Sequence, residues 1–162
     1  MSKKRFEVTL YTDGACKNNG DDHAVGSWAY VLEYKLDTGQ PHHKSDKGWF
    51  SGVTNNAMEL QAVIEGVRAL KHPCDVKVVC DSTYVCNVAS SIRDFAKRNW
   101  HTKSGELMAN YNGWQSLISL CHLGGHKLVF EHVKGHAGHA FNEECDRLCN
   151  EAAAEGKAAI TA

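Results

Sequence analysis

The sequence predicts a mixed α/β sheet with helices packed on it, and three observations carry that expectation. Three stretches near the N-terminus are rich in strand-forming residues and are joined by short, turn-rich connections. The apolar period then changes. Leu60, Val63, Ile64 and Val67 fall at i, i+3, i+4 and i+7, the stripe of an amphipathic helix. Beyond them, short apolar runs alternate with further helical stripes. A meander of antiparallel strands followed by strand–helix alternation is the pattern of a mixed sheet.

Each element has its own warrant. Phe6, Val8, Leu10 and Thr12 alternate with Glu7, Thr9, Tyr11 and Asp13, giving a half-buried strand over 6–13. Asp13 stands at its end, and Gly14 lets the backbone turn there. Residues 17–24 are turn-rich. Val25, Trp28, Tyr30, Val31, Leu32 and Tyr34 mark a second strand over 25–35, Asp37-Thr38-Gly39 suits a hairpin, and a third strand covers 47–53. The first helix spans 56–71, with Pro73 just past its end. The apolar run Val76–Cys80 is a buried strand ending at Asp81, and Ser82 can cap a helix running through Tyr84–Ala89. Residues 90–104 break the pattern, as Arg93, Lys97, Arg98, His101 and Lys103 interleave with Phe95 and Trp100. A helix over 109–122, a strand over 127–133 and a loop over 134–139 follow. Cys145, Leu148, Cys149 and Ala152 give a final helix over 142–155, with an Ala-rich end after Gly156 that is expected to fray.

The totals narrow the class. At 162 residues the chain is read as one domain, with its core over about 6–154. Hydrophobic content of 43% and charged content of 23% are ordinary for a soluble protein. There is no long apolar run for a membrane span, and the basic start Met1-Ser2-Lys3-Lys4-Arg5 leads into a strand and not into a signal-peptide core, so a cytoplasmic protein is expected. The seven cysteines are read as reduced thiols, several of them buried. A net charge of −1 does not advertise a nucleic-acid binder, so any basic surface must be local.

Four carboxylates stand at comparable element ends: Asp13, Glu59, Asp81 and Asp146. Each has an ordinary reading. Asp13 can be a turn residue, Asn56-x-x-Glu59 a capping pair, Asp81 a helix cap, and Asp146 a complement to the last helix's dipole. Their joint reading is different. Acids at the ends of neighbouring strands, with acids on helices packed beside them, can converge on one point, where cations must offset their repulsion. Hard oxygen ligands with open positions suit Mg²⁺, and a pair of such ions can clamp both oxygens of a phosphodiester displacement.

Here a resemblance becomes specific. Thr12-Asp13-Gly14-Ala15-Cys16, Thr54-Asn55-Asn56-Ala57-Met58-Glu59-Leu60, Cys80-Asp81-Ser82-Thr83-Tyr84-Val85, and Val133-Lys134-Gly135-His136-Ala137-Gly138-His139 through Asn142–Asp146 resemble ribonuclease H of type 1, the bacterial kind. The resemblance spans about 6–154 in the family's order. It implies the ribonuclease H-like fold, a five-stranded mixed sheet with three antiparallel strands then two parallel ones, flanked by helices. It also implies an endonuclease that cuts the RNA strand of an RNA–DNA hybrid, leaving 5′-phosphate and 3′-hydroxyl ends. Asp13 matches the acid that bridges two Mg²⁺ ions, with Mn²⁺ as a substitute, and Glu59, Asp81 and Asp146 match the other ligands. His136 matches a loop histidine that assists proton transfer or product release, a role suited to an imidazole.

The same resemblance places the hybrid. Backbone groups near Gly14–Lys17 meet the RNA, where the 2′-hydroxyl separates RNA from DNA. Thr54 and Asn56 match a pocket for a DNA phosphate, Asn55 a minor-groove contact, and Asn18 or Asn19 another. Residues 90–104 resemble a basic protrusion that grips DNA through Lys97, Arg98 and Lys103, with Trp100 either packing the protrusion or facing the DNA. Several positions depart from the bacterial pattern. Ser91 stands where a tryptophan is common, Ala96 and Ala109 where lysines are expected, and Thr83 where a glutamine contacts bases, while 17–22 lack the Asn-Pro-Gly turn and carry extra acids. A free-standing monomer is expected. His122-x3-His126 and Cys145-x3-Cys149 are the nearest approach to a zinc pattern, but no Cys-x2-Cys occurs. The rival readings are an integrase-like nuclease, which lacks the Thr-Asn-Asn and Gly-His-Ala-Gly-His blocks, and a non-catalytic binding module, which typically lacks one of the acids.

Overall fold

The computed structural model describes residues 5–17, 24–35, 41–134 and 140–161, so Asn18, Asn19 and His136 lie outside the described residues. The elements run β1 (Phe6–Lys17), β2 (Val25–Lys35), β3 (Pro41–Ser51), α1 (Asn55–Arg68), β4 (Cys74–Cys80), α2 (Thr83–Ser90), α3 (Ile92–Lys97), α4 (Tyr111–Gly124), β5 (Lys127–His132) and α5 (Ala140–Thr161). The sheet order is β3-β2-β1-β4-β5. β1 pairs antiparallel with β2, and β2 with β3. The β1–β4 and β4–β5 pairs are parallel. This is the expected mixed sheet.

Period-two alternation in β1 and β2 feeds two separate cores. On one face Val8, Leu10, Trp28, Tyr30 and Leu32, with Val76 and Val78 of β4, pack against Leu60, Val63, Ile64 and Val67 of α1. On the other, Tyr11, Ala29, Val31 and Val79 pack against Cys145, Leu148 and Cys149 of α5. β1 thus lies in the middle of the sheet with a helix on each side.

Three boundaries differ most from the expectation. β1 continues to Lys17, paired with β2 alone after the parallel ladder to β4 stops at Tyr11↔Val79. β3 begins at Pro41, well before 47, because residues 42–46 are exposed and carry no apolar alternation; only the ladder to β2 defines them. α5 does not end at 155. The helix runs on to Thr161, since alanine is the best helix former. Gly156 is not a stop signal but a close approach, as a Cβ there would stand 2.8 Å from the Trp49 ring. Lys47 of β3 adds ion pairs to Glu151 (2.9 Å) and Glu155 (2.8 Å) of α5.

All seven cysteines are free thiols, four of them buried. Cys145 Sγ donates to the Tyr11 carbonyl (3.3 Å) and Cys149 Sγ lies 3.0 Å from Ser27 Oγ. Both therefore belong to the core stripe, not to a zinc site. Among the described residues, no helix is long and apolar enough to cross a membrane.

Candidate active site

The site forms where β1 and β4 part. Asp13 and Asp81 each stand two residues beyond Tyr11↔Val79, the last parallel pair. From there β1 follows β2, leaving a crevice at the carboxyl end of β4, the place where open α/β sheets take ligands. The Gly14 N–H donates to Asp13 Oδ1 (3.0 Å). Across the crevice, the Val133 N–H donates to the Cys80 carbonyl (2.9 Å), and His132 Nε2 lies 3.1 Å from the Asp81 carbonyl oxygen.

Gly14 is not a turn residue. It is paired with Trp28 inside β1, and its φ is not among the positive ones. Its role is close approach: a Cβ on Gly14 would lie 2.4 Å from the Glu59 nitrogen and 2.5 Å from the Met58 carbonyl carbon. The backbones of β1 and α1 touch here, which brings Glu59 beside the strand that carries Asp13.

The ordinary roles open to three of the acids are filled by neighbours. Thr54, not Asn56, caps α1, its hydroxyl accepting from the Ala57 N–H (3.2 Å). Glu59 then lies beyond the position a capping box needs. Ser82 caps α2, accepting from the Val85 N–H (3.1 Å), which leaves Asp81 outside the cap. The acid in the first turn of α5 is Glu143, and Asp146 sits further along.

Glu59 is half-buried and held from two sides. Asn55 Nδ2 donates to Oε1 (3.1 Å), and Ser82 Oγ donates to Oε2. Burial pushes its carboxyl above the ordinary range and nearby Asp81 adds to the rise, while the two hydrogen bonds oppose it. Asp146 lies on the far face, where Asn150 Nδ2 donates to Oδ2 (3.4 Å). Burial, then the charges of Asp13 and Asp146, push the Cys149 thiol up to about 12 against the Ser27 hydrogen bond. Asp13 and Asp146 therefore act on one buried sulfur.

Gly14 sets the strand carrying Asp13 against the Glu59 backbone, the Asp81 charge reaches Glu59, and Asp13 and Asp146 both act on Cys149, but the carboxylate heads are not gathered. Among the described residues, no three of His, Cys, Asp and Glu stand close enough to hold a metal ion. Asp13 turns to its neighbouring amide, Glu59 to Ser82 and Asn55, and Asp146 to Asn150. The donor set is all oxygen, which fits Mg²⁺.

Sequence reasoning missed Asn55 and Ser82 as partners of Glu59. The i, i+4 spacing of Asn55 and Glu59 was a legible signal. The Ser82 bond spans separate elements and was not. Thr54 and Asn56 are exposed at the start of α1. In the protrusion, Lys97 and Lys103 are exposed, and the Arg98 guanidinium lies 5.2 Å from the Phe95 ring centroid. Of the two roles open to Trp100, the structure shows packing: it is 9% exposed and joins the α1-side core. Asn99 and Trp100 both take positive φ (53° and 66°), a reversal that turns Trp100 inward while Lys97 stays outside.

A family model described as RNase H matches residues 5–154. Ribonuclease H of Clostridium botulinum is 40% identical over 148 residues, covering 90% of this chain and 95% of the relative. Ribonuclease HI of Neisseria meningitidis is 41% identical over 149 residues, covering 91% and 96%. Among solved structures, LC9-RNase H1, a type 1 RNase H with the type 2 active-site motif, superposes with a TM-score of 0.83 at 29% identity, covering 96% of this chain and 76% of that one. With a β3-β2-β1-β4-β5 sheet and this extent of likeness, the chain belongs to the type 1 ribonuclease H family.

Proposed function

We propose that this ribonuclease H cleaves the RNA strand of RNA–DNA hybrids by metal-assisted hydrolysis, in which Asp13, Glu59, Asp81 and Asp146 would hold the divalent ions. The observation that carries this reading is that Thr54, Ser82 and Glu143 perform the helix-end roles that Glu59, Asp81 and Asp146 could otherwise have filled. The raised carboxyl of Glu59 supports it, because a cation would offset the cost that burial and Asp81 impose. Mg²⁺, when bound, supplies an activated water and neutralises charge building on the phosphodiester.

The chain's own residues do the rest. Ser82 and Asn55 fix the direction of the Glu59 carboxylate. Backbone groups at Gly14, with Asn18 or Asn19, meet the RNA strand. Thr54 and Asn56, at a helix start where N–H groups point outward, take a phosphate of the DNA strand, and Asn55 faces the minor groove. Lys97, Arg98 and Lys103 pair with further DNA phosphates. His136 moves a proton or frees the product. The products carry 5′-phosphate and 3′-hydroxyl ends. The chain acts as a monomer.

The test is cleavage of an end-labelled hybrid, compared with duplex DNA and duplex RNA, each with Mg²⁺ and with chelator. Cutting confined to the RNA of the hybrid and dependent on metal supports the reading. Equal cutting of duplex RNA, or cutting in chelator, overturns it.

A further inference from the structure

Cys80 closes β4, Cys86 lies in the second turn of α2, and their sulfurs stand 3.2 Å apart. Between them in sequence are Asp81 and Ser82, the second of which holds Glu59. Neither thiol has a role in the reaction proposed above. Cys80 is 3% exposed and serves the core, whereas Cys86 is only half-buried. A disulfide needs the sulfurs at about 2 Å, so they must close by roughly 1 Å. The other close sulfur contacts among the described residues are to oxygen.

We propose that Cys80 and Cys86 form an oxidative modification site, a dithiol that hydrogen peroxide converts to a disulfide across the Asp81–Ser82 segment. Cys86 Sγ, the more accessible sulfur, attacks one peroxide oxygen. The O–O bond breaks, Cys86 becomes a sulfenic acid, and its proton leaves with the departing hydroxide as water. Cys80 Sγ then attacks Cys86 Sγ. The S–O bond breaks and the hydroxyl leaves with the Cys80 proton as a second water. Two thiols and one peroxide give one disulfide and two waters.

The consequence follows from what the bridge spans. Drawing the first turns of α2 toward the end of β4 displaces the Ser82 hydroxyl from Glu59 and re-aims Asp81. Displacements near 1 Å in a catalytic constellation cost up to about a hundredfold in rate. Formation of the bond is independent of the ribonuclease reading; its effect on cleavage rests on that reading.

The experiment uses the full chain, reduced with dithiothreitol, desalted, and divided before peroxide treatment. Each portion is alkylated under denaturing conditions, digested and weighed, and its hybrid cleavage in Mg²⁺ is measured. The expected result is a peptide with Cys80 joined to Cys86, two hydrogens lighter and unalkylated. Turnover falls by about 10- to 100-fold and returns with dithiothreitol. Cys86→Ser and Cys86→Ala cleave like the reduced parent and keep that turnover through peroxide. Full alkylation of both thiols after peroxide overturns the site. An oxidised protein that cleaves like the reduced one, or Cys86 variants as peroxide-sensitive as the parent, overturns its effect. Failure of the reduced parent to cleave hybrid would strike the ribonuclease reading instead, while the mass measurement still decides the disulfide.

Discussion

Glu59 carries the sharpest consequences at the residue scale. Its carboxyl is raised, chiefly by burial and further by Asp81, so the folded protein binds that proton more tightly than the unfolded chain does. Its contribution to stability is therefore most favourable in acid and is lost as pH rises from the ordinary value of 4.5 through the raised one. Glu59→Gln removes that loss. In chelator, the melting temperature of Glu59→Gln minus that of the parent should grow between acidic and neutral pH; a constant difference would show that the burial cost is not carried by this charge. Asp13→Asn tests the other side of the crevice. Hybrid cleavage should fall to background while the melting temperature in chelator stays level or rises, because carboxylate repulsion is relieved. Near-parental turnover in Mg²⁺ would remove Asp13 from the metal site. The acids were legible in the sequence only as a set, since each alone has an ordinary turn or helix-end role. Their hydrogen-bonding partners were legible only where they are local, as with Asn55.

At the scale of elements, the contact between β1 and α1 is tight enough to test with one methyl group. Gly14→Ala places a Cβ against the backbone at Met58 and Glu59, which cannot swing aside as a side-chain tip can. Overpacking of this kind costs about 1–3 kcal/mol, measurable by denaturant unfolding. Because the displaced segment carries Glu59, turnover should fall by up to about a hundredfold as well. Reduced stability with undiminished turnover would separate Gly14 from the site. The protrusion is the second element to test. Lys97→Ala/Arg98→Ala should raise KM more than it lowers kcat, since cations that only hold substrate phosphates bind ground and transition states alike. The slope of log affinity against log salt should shrink by about 0.9 for each phosphate the variant no longer neutralises, on the B-DNA coefficient. An unchanged KM and slope would make α3 and its flanks a plain solvated surface. α1 and β2 were legible because a buried face imposes a period. The first half of β3 was not, because an exposed edge strand is set by its partner's backbone and writes nothing into side-chain polarity.

On the scale of the whole molecule, one sheet carries both cores, and the sequence shows why the architecture was readable from pattern alone. Apolar residues of opposite parity in β1, Leu10 and Tyr11 among them, serve helices on opposite faces. What the pattern concealed was the use of small residues for close packing, with Gly14 read as a turn and Gly156 as an end. The topology also has a temporal side. β1–β2 and β2–β3 are neighbours in sequence, but β1–β4 joins Phe6 to Cys74 and Tyr11 to Val79. Pairings of long sequence separation incur their loop-closure entropy before they are rewarded, and they form slowly. Asp13 and Asp81 lie two residues beyond the end of that ladder, which fixes the strands that carry them. A refolding chain diluted from denaturant should thus regain its secondary-structure signal before it regains hybrid cleavage, with enzymatic recovery keeping step with exchange protection at Val78 and Val79. Cleavage that returned ahead of that protection would refute the order. If the order holds, every partly folded chain is born inert, and a nuclease in the making cannot cut until its last strand pairing is in place.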